Sequence, residues 1–195
     1  MLRLLLFTLI LCMLVACTVP PPPPPQPTPL VDTVDPEEYA LFSAMIEQNV
    51  VGYQQEGSVV ILGQTTPDID SLELALEGPL KPPKKLEEAY RLPNGQPYKL
   101  EANFALKRGH QLIAWSEYDE LLRSGNASWE DFHAKHPQAG GVYLLSRAGL
   151  SPARDQALVS IGYYCGSLCA EGGVFWMVKE DGIWRVKEEL VVWMA

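Results

Sequence analysis

Six consecutive prolines, Pro20–Pro25, with Pro27 and Pro29 close behind, divide this chain into two unequal parts. A segment without backbone donors joins neither a helix interior nor a central strand. It populates polyproline II instead, at about 3.1 Å per residue, so ten residues act as a spacer of about 30 Å. The part after the spacer, residues 35–195, is long enough to bury a real core as one globular domain. The part before it is too short for that and must have another purpose.

That purpose is legible. Arg3 precedes an apolar run, Leu4–Val15, which ends in Leu14-Val15-Ala16-Cys17. A basic start, a short apolar core and a small residue describe a secretory signal peptide. A membrane-spanning helix wants about 18 or more apolar residues, and this run falls short before the prolines arrive. Leu11 is too bulky to make Cys12 a rival cleavage point. The Ala16-Cys17 junction resembles the lipobox of bacterial lipoproteins, with Val15 where Ala or Ser is commoner. The resemblance implies that residues 1–16 are removed and that Cys17 is acylated, palmitate included, on a tether covering residues 17–34. More than one acyl chain is needed for stable anchoring. Thr18 follows the cysteine where an Asp would signal inner-membrane retention. The expected location is the cell envelope, on the periplasmic face of the outer membrane, with the membrane itself as first partner.

Loss of Arg3 leaves 14 of the 15 basic residues against 24 acidic ones, a formal charge of −10. Nucleic acid is a poor partner for such a chain. The charge is uneven. Residues 81–108 carry seven Lys and Arg, Lys84 and Lys85 among them, against Glu87, Glu88 and Glu101. Such runs are usually solvated faces, and this one is expected to be structural.

Within the domain, Asp35-Pro36-Glu37-Glu38 starts a helix: Asp caps, Pro takes the first turn, and the acids suit the positive end of the dipole. Ala40, Leu41, Ala44 and Met45 continue it at helical spacing. Residues 58–62, with the apolar run Val-Val-Ile-Leu, read as a buried strand. Short helices are expected over residues 67–76 and 84–90. Strands are expected over 99–106 and 111–115. Ser116 with Asp119, and Ser128 with Asp131, match capping boxes with Asp in the place of Glu, so each should open a short helix. Strands then dominate: 141–147, the alternating 157–165, the apolar 174–178, 183–186 and 189–194. Asp181-Gly182 is the strongest hairpin turn. Helices first and strands later predict an α+β fold, N-terminal helices followed by a mainly antiparallel meander.

The stretch Ala157-Leu-Val through Gly162, Cys165-Gly166 and Leu168-Cys169, followed by Asp181-Gly182-Ile183-Trp184 and Trp193, resembles a recurrent exported bacterial domain of unassigned function. Leu145-Ser146-Arg147 and Trp129 with Phe132 fit the same pattern, while Ala170 stands where that family usually has Gly. The resemblance covers about residues 37–195 and implies no catalytic residues.

Cys165 and Cys169 are the only cysteines of the domain. An oxidising compartment favours a disulfide between them, with Gly166 allowing the bend. A redox or metal-binding pair is the alternative, although redox dithiols favour two intervening residues at a helix start. His133 and His136 could share a helix face at metal-ligand reach, with Glu130 or His110 as a third ligand. Nothing in the spacing completes that set, so no metal and no cofactor is expected. Phosphate loop, nucleophile elbow, zincin helix and dinucleotide fingerprint are missing from the sequence. Tyr163, Tyr164, Phe175, Trp176, Trp184 and Trp193 cluster in the strands. Core packing is their commoner fate; an exposed row would bind sugar or peptide. The sequence therefore points to a lipid-anchored, non-catalytic binding or envelope-maintenance domain for an envelope protein or glycan. The alternative is an envelope hydrolase or redox enzyme whose site is scattered along the chain.

Overall fold

The computed structural model describes residues 33–48, 57–124 and 128–195. The expected signal peptide, Cys17 and the proline run lie outside them. The fold is α+β: five helices and one seven-stranded, mostly antiparallel mixed sheet.

Helix α1, Pro36–Glu47, begins as its sequence dictates. The Asp35 carboxylate accepts from Glu37 N and the Glu38 side chain reaches back to Asp35 N, closing a capping box. Strand β1, Ser58–Leu62, is apolar and buried. Helices α2, Ile69–Glu77, and α3, Lys84–Arg91, follow. Next come β2, His110–Ile113, α4, Trp115–Leu122, and α5, Trp129–Lys135. The last third holds β3, Ala139–Leu145, the short β4, Gly149–Leu150, and three long strands. These are β5, Gln156–Gly166, β6, Cys169–Glu180, and β7, Ile183–Met194.

The strand order is β2-β1-β3-β5-β6-β7, with β4 on the flank of β5. From β3 to β7 every pairing is antiparallel, and β1 pairs parallel with both β2 and β3. Asp181 and Gly182, both at positive φ, turn β6 into β7. Two left-handed residues give a tight turn that matches the twist of the strands.

Each face of the sheet has its own cover. On the first, Val59, Ile61, Tyr143, Leu145, Val159, Ile161 and Phe175 pack against α1 and against Leu100 and Phe104. On the second, α2 and α3 cover Leu158, Val174 and Trp176, while α4 and α5 cover Val60, Leu62 and Val142. Alternation explains this division, because successive strand residues face opposite ways.

Three expectations need correction. Residues 99–106 form no strand, only a single bridge between Lys99 and Gln64. Leu100 and Phe104 instead anchor an irregular crossing over the first face, a packing that needs no ladder. Ser116 does not open α4. The helix starts two residues earlier than a Ser116 cap requires, at Trp115, with Ala114 at its cap and no side-chain bond there. The stretches 183–186 and 189–194 are one strand, β7, carried through its charged middle by a bulge at Lys187, with a second bulge at Val192. Between Cys165 and Cys169 the chain makes the tight bend that Gly166 allows. Gly166 still pairs with Cys169, and the ladder slips by one residue at Cys165.

Candidate functional site

The β1-to-β2 connection finishes over the first face, through Leu100 and Phe104, whereas the β2-to-β3 connection runs through α4 and α5 over the second. Ahead of that return, α2 and α3 carry the β1-to-β2 connection over the second face as well. Ligands of α/β sheets sit just beyond the carboxyl ends of the strands. In this protein that place is a cleft of about 540 Å3 whose walls include Asp35, Tyr39, Lys99, Glu101, Asn103 and Arg147.

Its base is a buried ion pair. Glu38, on the first turn of α1, is 2% exposed. Arg147, just past the end of β3, donates from Nε to Glu38 Oε2 at 2.9 Å and from Nη2 to Oε1 at 2.7 Å. Ala148 N donates to Oε2 at 2.8 Å, and Asp35 N to Oε1 at 3.4 Å. The guanidinium lies over the Tyr98 ring, 4.3 Å from its centroid. Asn94, also buried, brackets the Arg147 backbone: Arg147 N donates to Asn94 Oδ1, and Asn94 Nδ2 donates to Arg147 O, both at 2.9 Å. A buried carboxylate needs such company, since an unpaired one costs several kcal/mol, about 3–5 when a partner is removed.

The walls are wetter. Tyr39 Oη accepts from Glu101 N at 2.8 Å. Burial pushes the Tyr39 phenol above its ordinary value, so the hydroxyl keeps its proton. Asp35 pairs with Arg154, and Asn103 Nδ2 donates to Glu101 Oε2 at 3.2 Å. Lys99 and Glu101, both exposed, offer one charge of each sign at the mouth. Glu38 already accepts four donors, so it serves as a fixed anchor for the base of the cleft. The cleft can hold a polar ligand through its rim and keep its base rigid.

Cys165 and Cys169 form a disulfide, with Cα atoms 5.0 Å apart. They sit at the β5–β6 tip, at the opposite end of the sheet from Arg147. His133 and His136 do not converge on a ligand-binding point. His136 lies between Gln111, whose Nε2 is 2.7 Å from Nδ1, and Glu117, whose Oε1 is 2.9 Å from Nε2. His133 packs beside Trp129 and Phe132. Glu117 also takes Lys135 at 3.0 Å. Burial raises the Glu117 carboxyl, but hydrogen bonds from Lys135 and His136 outweigh that and hold it below its ordinary value. Among the described residues, no group of three or more His, Cys, Asp and Glu is placed to hold a metal ion.

The basic segment 81–108 is spread out rather than gathered into one patch. Arg91 pairs with Glu73, Lys81 bonds Leu76 O, and Lys99 lines the cleft. Sequence reasoning missed the Glu38–Arg147 pair. Glu38 was visible only as a helix-start acid and Arg147 only as part of a motif, and 109 residues separate them. Among the described residues no helix is long and apolar enough to cross a membrane. Compared with family models, curated proteins and solved structures, the chain gives no match in any of the three.

Proposed function

We propose that this chain is a lipid-anchored cell-envelope protein whose domain binds a partner without transforming it. The observation that carries the reading is the saturated state of the cleft's base. A carboxylate fixed by an arginine and two backbone N–H groups suits a rigid binding surface, and the charges left at the rim suit a polar envelope protein or glycan. The Cys165–Cys169 disulfide agrees with an oxidising compartment. The anchor rests on the sequence: the Leu4–Val15 run, the lipobox-like Ala16-Cys17 junction and the proline tether. Thr18 favours the outer membrane. Helices followed by an antiparallel meander, in one exported domain over residues 35–195, complete the proposal, as does membership of the functionally unassigned family that the C-terminal pattern resembles.

Two measurements test it. A Cys17→Ser chain should leave the membrane fraction or remain unprocessed; identical processing and membrane association would sink the anchor. Crosslinking in intact envelopes should capture a partner with the wild-type chain and lose it with Lys99→Ala/Asn103→Ala. Capture that ignores those rim changes would detach binding from the cleft.

A further inference from the structure

One corner of the sheet's second face carries aromatic side chains in place of a helix. Gly162 on β5 and Gly172 on β6 are register partners, and the indole of Trp193, from β7, lies on both. A Cβ at Gly172 would stand 2.2 Å from the indole Cζ2, and one at Gly162 would stand 3.0 Å from it. Only residues without side chains let the ring lie flat there. Tyr164 continues the surface, its ring centroid 5.1 Å from that of Trp193 with 37° between the planes.

The six aromatics of these strands divide cleanly. Tyr163, Phe175, Trp176 and Trp184 are buried, whereas Tyr164 and Trp193 are half-exposed. The buried indoles have acceptors: Trp176 Nε1 donates to Gln156 and Trp184 Nε1 to Glu37. Lys187 also covers the Trp176 ring, 3.5 Å from its centroid. Among the described residues, the Trp193 N–H and the Tyr164 hydroxyl meet no protein hydrogen-bond partner, and neither is enclosed. The platform therefore offers two flat apolar rings and two unused donors. Burial raises the Tyr164 phenol, and the opposed charges of Asp68 and Arg123 also act on it. Asp68 spends one lone pair of each oxygen on Ser71 N and Ser160 Oγ, which leaves acceptor capacity on the same side. Rings, donors, an acceptor and balanced charge match a neutral polyhydroxyl ring. An anionic headgroup would find an opposing carboxylate, and the prolines of a proline-rich peptide have no N–H to give Asp68.

We propose that Tyr164 and Trp193 form a stacking surface for a neutral saccharide unit of an envelope glycan. The Tyr164 hydroxyl and the Trp193 indole N–H donate to the sugar oxygens, and Asp68 accepts from a sugar hydroxyl. This rests on the reading of the chain as an envelope binding domain, but it uses a surface separate from the cleft.

The test uses the mature full-length chain in detergent with two probes: cosedimentation with purified peptidoglycan sacculi, and tryptophan-fluorescence titration with chitotetraose. The wild type should bind both. Tyr164→Phe keeps the ring and removes one hydrogen bond, so affinity should fall about fivefold. Trp193→Ala should weaken binding by more than tenfold; if that variant does not fold, Tyr164→Phe decides alone. Unchanged affinity in Tyr164→Phe, or in a folded Trp193→Ala, overturns the inference. So does Trp193-dependent binding of a peptide spanning residues 18–30 with no binding of either saccharide probe. A wild type that crosslinks to an envelope protein but ignores both probes overturns the saccharide site and leaves the binding-domain reading standing.

Discussion

Replacing Arg147 by Met removes the charged partner of Glu38 while keeping an unbranched side chain to lie on Tyr98. Glu38 then loses the donors at 2.7 and 2.9 Å but keeps Ala148 N at 2.8 Å and Asp35 N at 3.4 Å. Removing one member of a buried pair costs about 3–5 kcal/mol. The two backbone donors that remain argue for the lower end, about 3 kcal/mol. For a domain of this size each kcal/mol moves the melting temperature by about 2–4 °C, so the fall should be about 6–12 °C. Urea unfolding followed by tryptophan fluorescence gives the free energy directly. The second arm is the double variant Glu38→Gln/Arg147→Met. It has no buried charge, and its amide oxygen still accepts from Ala148 N. It should be more stable than Arg147→Met alone, by about 2 kcal/mol within the usual range for coupled neighbours. A loss below about 1 kcal/mol in Arg147→Met, or a double variant no better than that single one, would refute the claim that this pair holds the base of the cleft.

Two further outcomes are expected. Cys165→Ala/Cys169→Ala opens a five-residue loop, worth about 2 kcal/mol in the chain-entropy account; hydrogen exchange should rise first at the β5–β6 tip, and two alkylatable domain thiols in unreduced wild-type protein would disprove the bond. The Glu117 carboxyl lies below its ordinary 4.5 when folded, so its stabilising effect is complete above that pH and is lost as pH falls through the folded value. Melting temperatures between pH 7 and pH 3 should therefore fall less steeply for Glu117→Gln than for the wild type, and parallel curves would contradict the Lys135–Glu117–His136 arrangement.

Local chemistry was legible from the sequence. Asp35 and Glu38 signal their own capping box, Asp181-Gly182 its turn, and the alternation from Ala157 to Tyr163 its buried face, because each depends on neighbours a few residues away. Partnership between strands was not. Val59–Leu62 is apolar whichever strands flank it, so nothing in it announces parallel pairing with β2 and β3. The charged Lys187-Glu188-Glu189 suggested a break, but β7 lies at the sheet edge, where exposed charges cost little. The cleft was hidden for the same reason as the parallel pairing: its parts, Glu38, Lys99 and Arg147, are far apart in sequence and meet only once the strands are paired. The aromatic platform was half visible. Six rings stood out, but only the glycines beneath Trp193 distinguish a surface ring from core rings, and their role depends on a pairing register.

The bulges in β7 matter beyond this one chain. Its outer side has no neighbour among the described residues, and its last turns of sequence, Leu190–Met194, are apolar and free of proline. A straight strand of that kind is a template for any extended chain that drifts past, including the same strand of another molecule. The ladder with β6 slips at Trp176/Met177 and again at Gly172/Gly173. Each slip bends the edge and puts its N–H and C=O groups out of step, so an incoming strand finds only a few residues in register at a time. A crooked border of this kind resists edge-to-edge pairing of two copies, and deleting one bulge residue would straighten it into a seam.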